Sequence, residues 1–112
     1  MDAPKGKVTI TTFDMVVRTG GTITTTKASG QGPTTFCPAV FAILRADDAN
    51  SATIKWGMGS SATDPLAKGE TAAFDVPAGF YFDLSEICVN GTAADIIHVI
   101  AGIVENFNPL GA

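Results

Sequence analysis

The sequence predicts an all-β fold, a single antiparallel β-sandwich or jelly-roll-like domain with an N-terminal β-hairpin or arm. Three features support this fold class. Hydrophobic residues make up 46% of the 112 residues and charged residues only 16%, which is enough apolar material for one core. Apolar and polar residues alternate with a period of two in several short segments. Turn residues separate these segments, and the spacing predicts about seven or eight short strands, as in sandwiches and barrels.

The N-terminal residues predict a hairpin that lies at a sheet edge. Residues 7–17 form the first strand, residues 18–21 (RTGG) supply the turn, and the Thr-rich residues 22–27 form the second strand. The second strand has little to bury, so we expect the hairpin to be completed by a neighbouring chain. The residues predicted to contact this partner are Val8, Ile10, Phe13, Met15, Val17 and Ile23. The apolar residues of the first strand are even-numbered up to Ile10 and odd-numbered from Phe13. This change in the alternation predicts a β-bulge between them.

A change in composition divides the chain. Residues 28–35 are rich in Gly, Ser and Pro, which is typical of a loop. The residues before this loop are rich in Thr, and those after it are more apolar. We therefore predict an N-terminal arm over residues 1–27, a linker over residues 28–35 and the β-sandwich domain over residues 36–112.

The remaining strands are predicted in the larger, C-terminal part. Residues 36–46 are almost continuously apolar, as in a core strand, and residues 51–58 alternate so that Trp56 points inward. Residues 57–65 are predicted to form a loop. Further alternating segments cover residues 70–76, 80–84 and 87–90.

The last apolar segment, residues 95–105 (DIIHVIAGIVE), fits two kinds of secondary structure. Thr92 and Asp95 have the spacing of a helix capping box, and isoleucines recur at helical intervals. The many β-branched residues and Gly102 favour a central strand instead. We predict a strand.

No group of residues in the sequence indicates catalysis, a cofactor or a metal ion. The single histidine, His98, lies in an apolar segment, so we expect a core or interface residue and no enzyme. His98 has no Cys or His close by in sequence, as a zinc site would require. Cys37 and Cys88 are interpreted as two buried thiols, although two cysteines also permit one disulfide.

The charge distribution argues against two classes of partner. The net charge is −4 and the basic residues are scattered, so we expect no nucleic acid binding, which needs clustered Lys and Arg. The longest apolar stretch, residues 96–104, is too short to cross a bilayer, and residues 1–7 lack a signal-peptide pattern. We therefore expect no membrane partner. The weakly charged surface predicts association with other proteins, including copies of the same chain in a homodimer or homotrimer.

From Cys37 to Val104 the order of features resembles small virion proteins of tailed bacteriophages, which are β-sandwich modules. The segments that carry the resemblance are AVFAILRADDANSATIKWGM, DPLAKGETAAFDVPAG and DLSEICVNGTAADIIHVIAG. It implies a capsid cement or decoration protein, made in the bacterial host cytoplasm, that binds the major capsid protein on the outer surface of the virion head. It implies no catalytic, cofactor or metal residues.

An alternative function is a head-fibre or receptor-binding module that recognises glycans. The aromatic residues that would form its sugar platform are Trp56, Phe80, Tyr81 and Phe82. Among these, the alternation points only Tyr81 outward.

Overall fold

The fold consists of β-strands almost throughout. A computed structural model of the protein describes residues 5–17, 23–24, 33, 35–59 and 61–108. These residues form nine strands and one short 3₁₀ helix (Leu84–Glu86), and none of their helices is long and apolar enough to cross a membrane. The strands are β1 (Lys5–Val16), β2 (Ile23–Thr24), β3 (Pro38–Ala46), β4 (Ile54–Met58), β5 (Ser61–Leu66), β6 (Thr71–Asp75), β7 (Phe82–Asp83), β8 (Ile87–Asn90) and β9 (Ile96–Asn108).

The strands form two antiparallel sheets that pack into a β-sandwich, as predicted. Sheet 1 has the order β1-β9-β3-β6, with β7 beside the start of β3, and sheet 2 has the order β2-β8-β4-β5. The predicted strand near the C-terminus is confirmed as β9, which lies between β1 and β3. A β-branched segment suits this place because both of its edges are paired and one of its faces is buried.

The hydrophobic core lies between the inner faces of the two sheets. The largest fully buried side chains include Met15, Leu44, Ile54, Leu84, Ile87 and Ile97. Burial of one side chain of this size stabilises the fold by about 1.5–3 kcal/mol. Trp56 packs against this core and stacks on Phe74, with ring centroids 5.5 Å apart and an angle of 9° between the planes. The predicted inward orientation of Trp56 is therefore confirmed.

β1 is a regular strand, and the β-bulge predicted at its midpoint is wrong. It pairs with β9 along its length, and the register shifts only between Lys5 and Lys7. Phe13 faces the core, whereas Val8 and Ile10 lie on the opposite face and are exposed. The phase change in the sequence therefore has another cause. Apolar residues lie on the outer face in the first half of the strand and on the core-facing side in the second half.

The described residues do not form the predicted N-terminal hairpin. β1 pairs with β9 in sheet 1, whereas β2 pairs with β8 in sheet 2, so the two strands belong to different sheets. The predicted turn over residues 18–21 lies outside the described residues, as does most of the predicted linker over residues 28–35. The boundary at that linker stays a prediction. Phe13 and Met15 of β1, and Val17 directly after it, belong to the core, so the first part of the predicted arm buries side chains in its own sandwich.

The predicted loop over residues 57–65 contains a strand, β5, which forms a hairpin with β4. Gly59 lies in the turn with a φ of 73°, a conformation that glycine adopts without steric cost. β5 lies at the edge of sheet 2, where Pro65 is tolerated because one side of the strand needs no hydrogen bonds. Only Leu66 among its described side chains is buried, which is why hydrophobic alternation did not identify the strand.

Candidate interaction surface

The outer face of sheet 1 carries apolar residues on three adjacent strands. Even-numbered residues of β1 point to this face, as do their register partners on β9 and, beyond the register shift in β3, Phe41 and Ile43, because the residues that alternate with them face the core. We call the following residues the apolar face: Val8, Ile10, Phe41, Ile43 and Ile100.

Three residues of the apolar face are highly exposed. The exposed fractions are 63% for Ile10, 51% for Val8 and 42% for Ile100. On sheet 2, by contrast, Lys55 and Asp64 are among the exposed residues of β4 and β5. Large apolar side chains that lie together on a surface commonly mark a site of contact with another protein. The apolar face is therefore the candidate interaction surface.

Phe41 shapes the middle of the apolar face by covering Gly102 on the neighbouring strand. A Cβ atom at position 102 would lie 2.3 Å from Cε2 of Phe41, so glycine is needed for the ring to occupy this place. Beside the ring an open groove of about 240 Å³ runs between β3 and β6. Its lining residues are Phe41, Ala42, Ile43, Ala73, Phe74 and Asp75.

A charged cluster around His98 borders the apolar face. Nδ1 of His98 lies 2.8 Å from Oδ1 of Asp14, and Nε2 lies 2.7 Å from Oδ2 of Asp47. The hydrogen bond with Asp14, followed by the bond with Asp47, raises the pKa of His98, while partial burial opposes this shift. The pKa of Asp47 is lowered, first by the backbone N–H of Ala49 and then by His98. We call these three residues, Asp14, His98 and Asp47, the histidine clamp.

Carboxylates occupy both sides of the imidazole ring in the histidine clamp. Nδ1 faces a carboxylate oxygen of Asp14, and Nε2 faces one of Asp47. Within the described ranges, no group of three or more His, Cys, Asp or Glu residues is placed to hold a metal ion. Sequence reasoning missed the clamp because Asp14 and Asp47 are 84 and 51 residues away from His98 along the chain.

Two buried polar residues fix the turn that carries the second carboxylate of the clamp. The side chain of Asp95 accepts hydrogen bonds from the backbone N–H of Ser51 at 2.8 Å, from its hydroxyl at 3.1 Å, and from the N–H of Ala52 at 3.3 Å. Asn50 donates to the backbone oxygen of Ile96 at 2.9 Å and accepts from its N–H at 2.8 Å. The turn between β3 and β4 is thereby held against the start of β9.

The residues predicted to bind a partner fall into two groups in the structure. Val8 and Ile10 are exposed on the apolar face, and their role stays a prediction. The others with described side chains are core residues, with exposed fractions of 7% for Phe13, 0% for Met15 and 1% for Val17. Their predicted contact with a partner is corrected, because they pack inside their own sandwich. Ile23 belongs to β2, but its side chain lies outside the described residues.

A second group of exposed aromatic residues lies near the start of β3. The exposed fractions are 53% for Phe36, 63% for Phe80 and 41% for Tyr81, and the rings of Phe36 and Tyr81 meet edge to face at 5.8 Å. Tyr81 points outward as predicted. Phe80 is also exposed, contrary to the alternation, because the strand begins only at Phe82 and a turn precedes it.

The two cysteines are unpaired thiols. Burial raises the pKa of both Cys37 and Cys88, and the negative charge of Asp83 raises that of Cys37 further. A higher pKa lowers the thiolate fraction at neutral pH, so these side chains are poor nucleophiles.

Comparison with known proteins yields one structural likeness. No protein-family model matches the chain, and no curated protein matches it. A solved structure of the cyanophage Pam1 capsid asymmetric unit contains a chain with a TM-score of 0.41 and 19% sequence identity. The alignment covers 93% of this chain and 91% of that chain. A TM-score of this size does not establish a common fold.

Proposed function

We propose that this protein is a bacteriophage capsid cement or decoration protein, which binds the major capsid protein through the apolar face. The main support is the exposure of Val8, Ile10 and Ile100 on adjacent strands of sheet 1. Water contact at such a patch is unfavourable, and burial against another protein relieves it. The resemblance of the segment from Cys37 to Val104 to phage virion proteins indicates the kind of partner, a phage head shell.

The edge of β1 opposite β9 is free of other described strands and adds hydrogen-bonding groups to this surface. Among the described strands β1 pairs only with β9. The N–H of Val17 donates to the backbone oxygen of Asp95 at 2.8 Å, and bonds in an antiparallel pair alternate along the strand. The backbone groups of Val8 and Ile10 therefore point to the free edge. A strand of a capsid subunit that pairs there would extend sheet 1 and place alternate side chains next to the apolar face.

The proposal places the protein on the outer surface of the head, where its contacts stabilise adjacent capsid subunits. The net charge of −4 suits a position outside a shell filled with DNA. Association into a homodimer or homotrimer would present several copies of the apolar face at once and raise the overall binding strength. The proposal includes no catalysis and no cofactor, in keeping with the occupied nitrogens of His98.

The substitution Ile10→Asp tests the proposal. Burial of an isoleucine contributes about 1.5–3 kcal/mol, so its replacement by a charge should weaken binding to phage shells at least about tenfold. Binding would be measured by sedimentation of the purified protein with shells, and the fold would be checked by circular dichroism. Phe80→Asp is the matched control, because Phe80 has the same exposed fraction of 63% on a different surface. Unchanged shell binding by folded Ile10→Asp protein would contradict the proposal.

The aromatic group near the start of β3 favours a second candidate function, a head-fibre or receptor-binding module that recognises glycans. Exposed aromatic rings such as Phe80 and Tyr81 provide flat apolar surfaces of the kind found in ligand sites. The same two variants distinguish the functions on a glycan screen. Glycan recognition predicts that Phe80→Asp abolishes binding and Ile10→Asp retains it, whereas a capsid cement protein binds no glycan.

A further inference from the structure

The histidine clamp joins three segments that are distant in sequence. Asp14 belongs to the edge strand β1, His98 to the central strand β9, and Asp47 to the turn that follows β3. The side chain of His98 is 31% exposed, and those of Asp14 and Asp47 are 49% and 30% exposed. The clamp is therefore accessible to solvent protons while it crosses the outer face of sheet 1.

Two protons on the ring satisfy both contacts of the clamp when the two carboxylates are ionised. Ionised carboxylates only accept hydrogen bonds, so each of the two short contacts needs an N–H group on the imidazole. A neutral imidazole has one N–H group and one lone pair, and the lone pair would face a carboxylate oxygen. The imidazolium form has two N–H groups and satisfies both contacts. We infer that His98 is a pH-controlled latch, which strengthens the attachment of β1 to the sandwich when protonated and weakens it when deprotonated.

The charged groups around His98 support this assignment. Asp14 faces the ring from β1, and Asp47 faces it from the turn after β3. Arg45 is the register partner of His98 on β3, and its guanidinium lies 3.7 Å from the carboxylate of Asp48. Two carboxylates in direct contact with the ring outweigh this more distant cation, and together they raise the pKa of His98.

β1 is the element whose attachment deprotonation weakens. The carboxylate of Asp47 also accepts a hydrogen bond from the N–H of Ala49 at 2.8 Å, so it keeps a partner when His98 loses a proton. Among the described residues the side chain of Asp14 has no hydrogen-bond partner besides His98, and it is the more exposed carboxylate. Among the described strands β1 forms backbone hydrogen bonds only with β9, although Phe13 and Met15 also anchor it in the core. Loss of the Asp14 contact therefore loosens the strand that carries Val8 and Ile10.

The latch is a property of the free chain and stands whether or not the apolar face binds a capsid. His98 is the single histidine, so its ring signals in NMR spectra are unambiguous. A titration of the wild-type protein should give a pKa above the ordinary value of about 6.5, with both ring nitrogens protonated below it. Asp14→Asn and Asp47→Asn should each lower this pKa. Asp75→Asn, which removes a carboxylate from the exposed end of β6, should leave it unchanged.

A pKa at or below about 6.5 in the wild-type protein would overturn the inference, as would a pKa that neither Asn variant lowers. The looser attachment of β1 needs a second measurement. Amide hydrogen exchange, corrected for its intrinsic pH dependence, should show lower protection of β1 above the pKa of His98, while the protection of β3 is retained. In Asp14→Asn the protection of β1 should no longer change across this titration. Equal protection of wild-type β1 above and below the pKa would exclude the latch.

Discussion

Alanine at position 102 is expected to destabilise the protein, although the substitution adds only a methyl group. The new Cβ atom would lie 2.3, 2.7 and 3.2 Å from Cε2, Cδ2 and Cζ of Phe41. Carbon atoms that are not bonded pack best at about 3.5–4.0 Å, so the ring must move by about 1 Å. Gly102 lies in the central strand β9, and pairing on both sides prevents the backbone from moving away.

Two opposing effects set the size of the change. Alanine is favoured over glycine in the middle of a strand by about 0.5–1 kcal/mol, because glycine loses more conformational freedom on folding. Displacement of a packed side chain by an added methyl group typically costs about 1–3 kcal/mol. The free energy of unfolding should therefore fall by about 1 kcal/mol in Gly102→Ala. In a domain of this size the melting temperature should drop by roughly 4 °C.

A double-mutant cycle with Phe41→Ala separates the steric contact from other effects. The free energy of unfolding would be measured by urea denaturation for the wild type, both single variants and the double variant. Without the Phe41 ring, Gly102→Ala meets no obstruction and should be neutral or stabilise by up to about 1 kcal/mol. If Gly102→Ala stabilised the wild type as much as it stabilises the Phe41→Ala protein, the steric reasoning would be refuted.

Three further predictions concern stability. Asp95→Asn places an amide donor against the donors of Ser51 and Ala52, so the free energy of unfolding in urea should fall by about 1–3 kcal/mol, and no change would contradict the network. Leu44→Ala should cost about 2–5 kcal/mol in the same assay, because the side chain is fully buried; a loss below about 1 kcal/mol would show that the site collapses without a cavity. Because the pKa of His98 is raised in the folded state, protonated His98 should add to the free energy of unfolding. This contribution should be complete below about pH 6.5, the ordinary pKa of histidine, and should disappear as the pH rises through the pKa of His98 in the folded protein. In His98→Gln the free energy of unfolding, measured by urea denaturation, should no longer decline over this pH range. If it declined as much as in the wild type, the decline would belong to another titratable group.

The sequence predicts those elements whose burial is decided locally. β9 is identified by its β-branched residues, and the residues that surround Trp56 alternate because one face of β4 packs on the core. β3 is identified by a continuous apolar run, since its inner face lies in the core and its outer face carries Phe41 and Ile43. In each case hydrophobic pattern and strand propensity agree, so the fold class follows.

The sequence does not show which face of a strand is buried when both faces carry apolar residues. In β1 the exposed Val8 and Ile10 resemble core residues, and they led to a predicted bulge. The histidine clamp escapes prediction for a related reason, since its carboxylates reach His98 only through the pairing of distant strands. Such contacts depend on register, and register is fixed by the assembled sheet as a whole.

The double role of β1 determines how its proposed contact with a partner can be tested. Deletion of residues 1–27 would remove Phe13, Met15 and Val17 from the core. Burial of these three side chains contributes about 5–9 kcal/mol in total, a large part of the 5–15 kcal/mol that stabilises a typical domain. The deletion would also expose the edge of β9, so a loss of binding could not be distinguished from the effect of unfolding. Only substitutions on the outer face, at Val8 or Ile10, separate binding from folding.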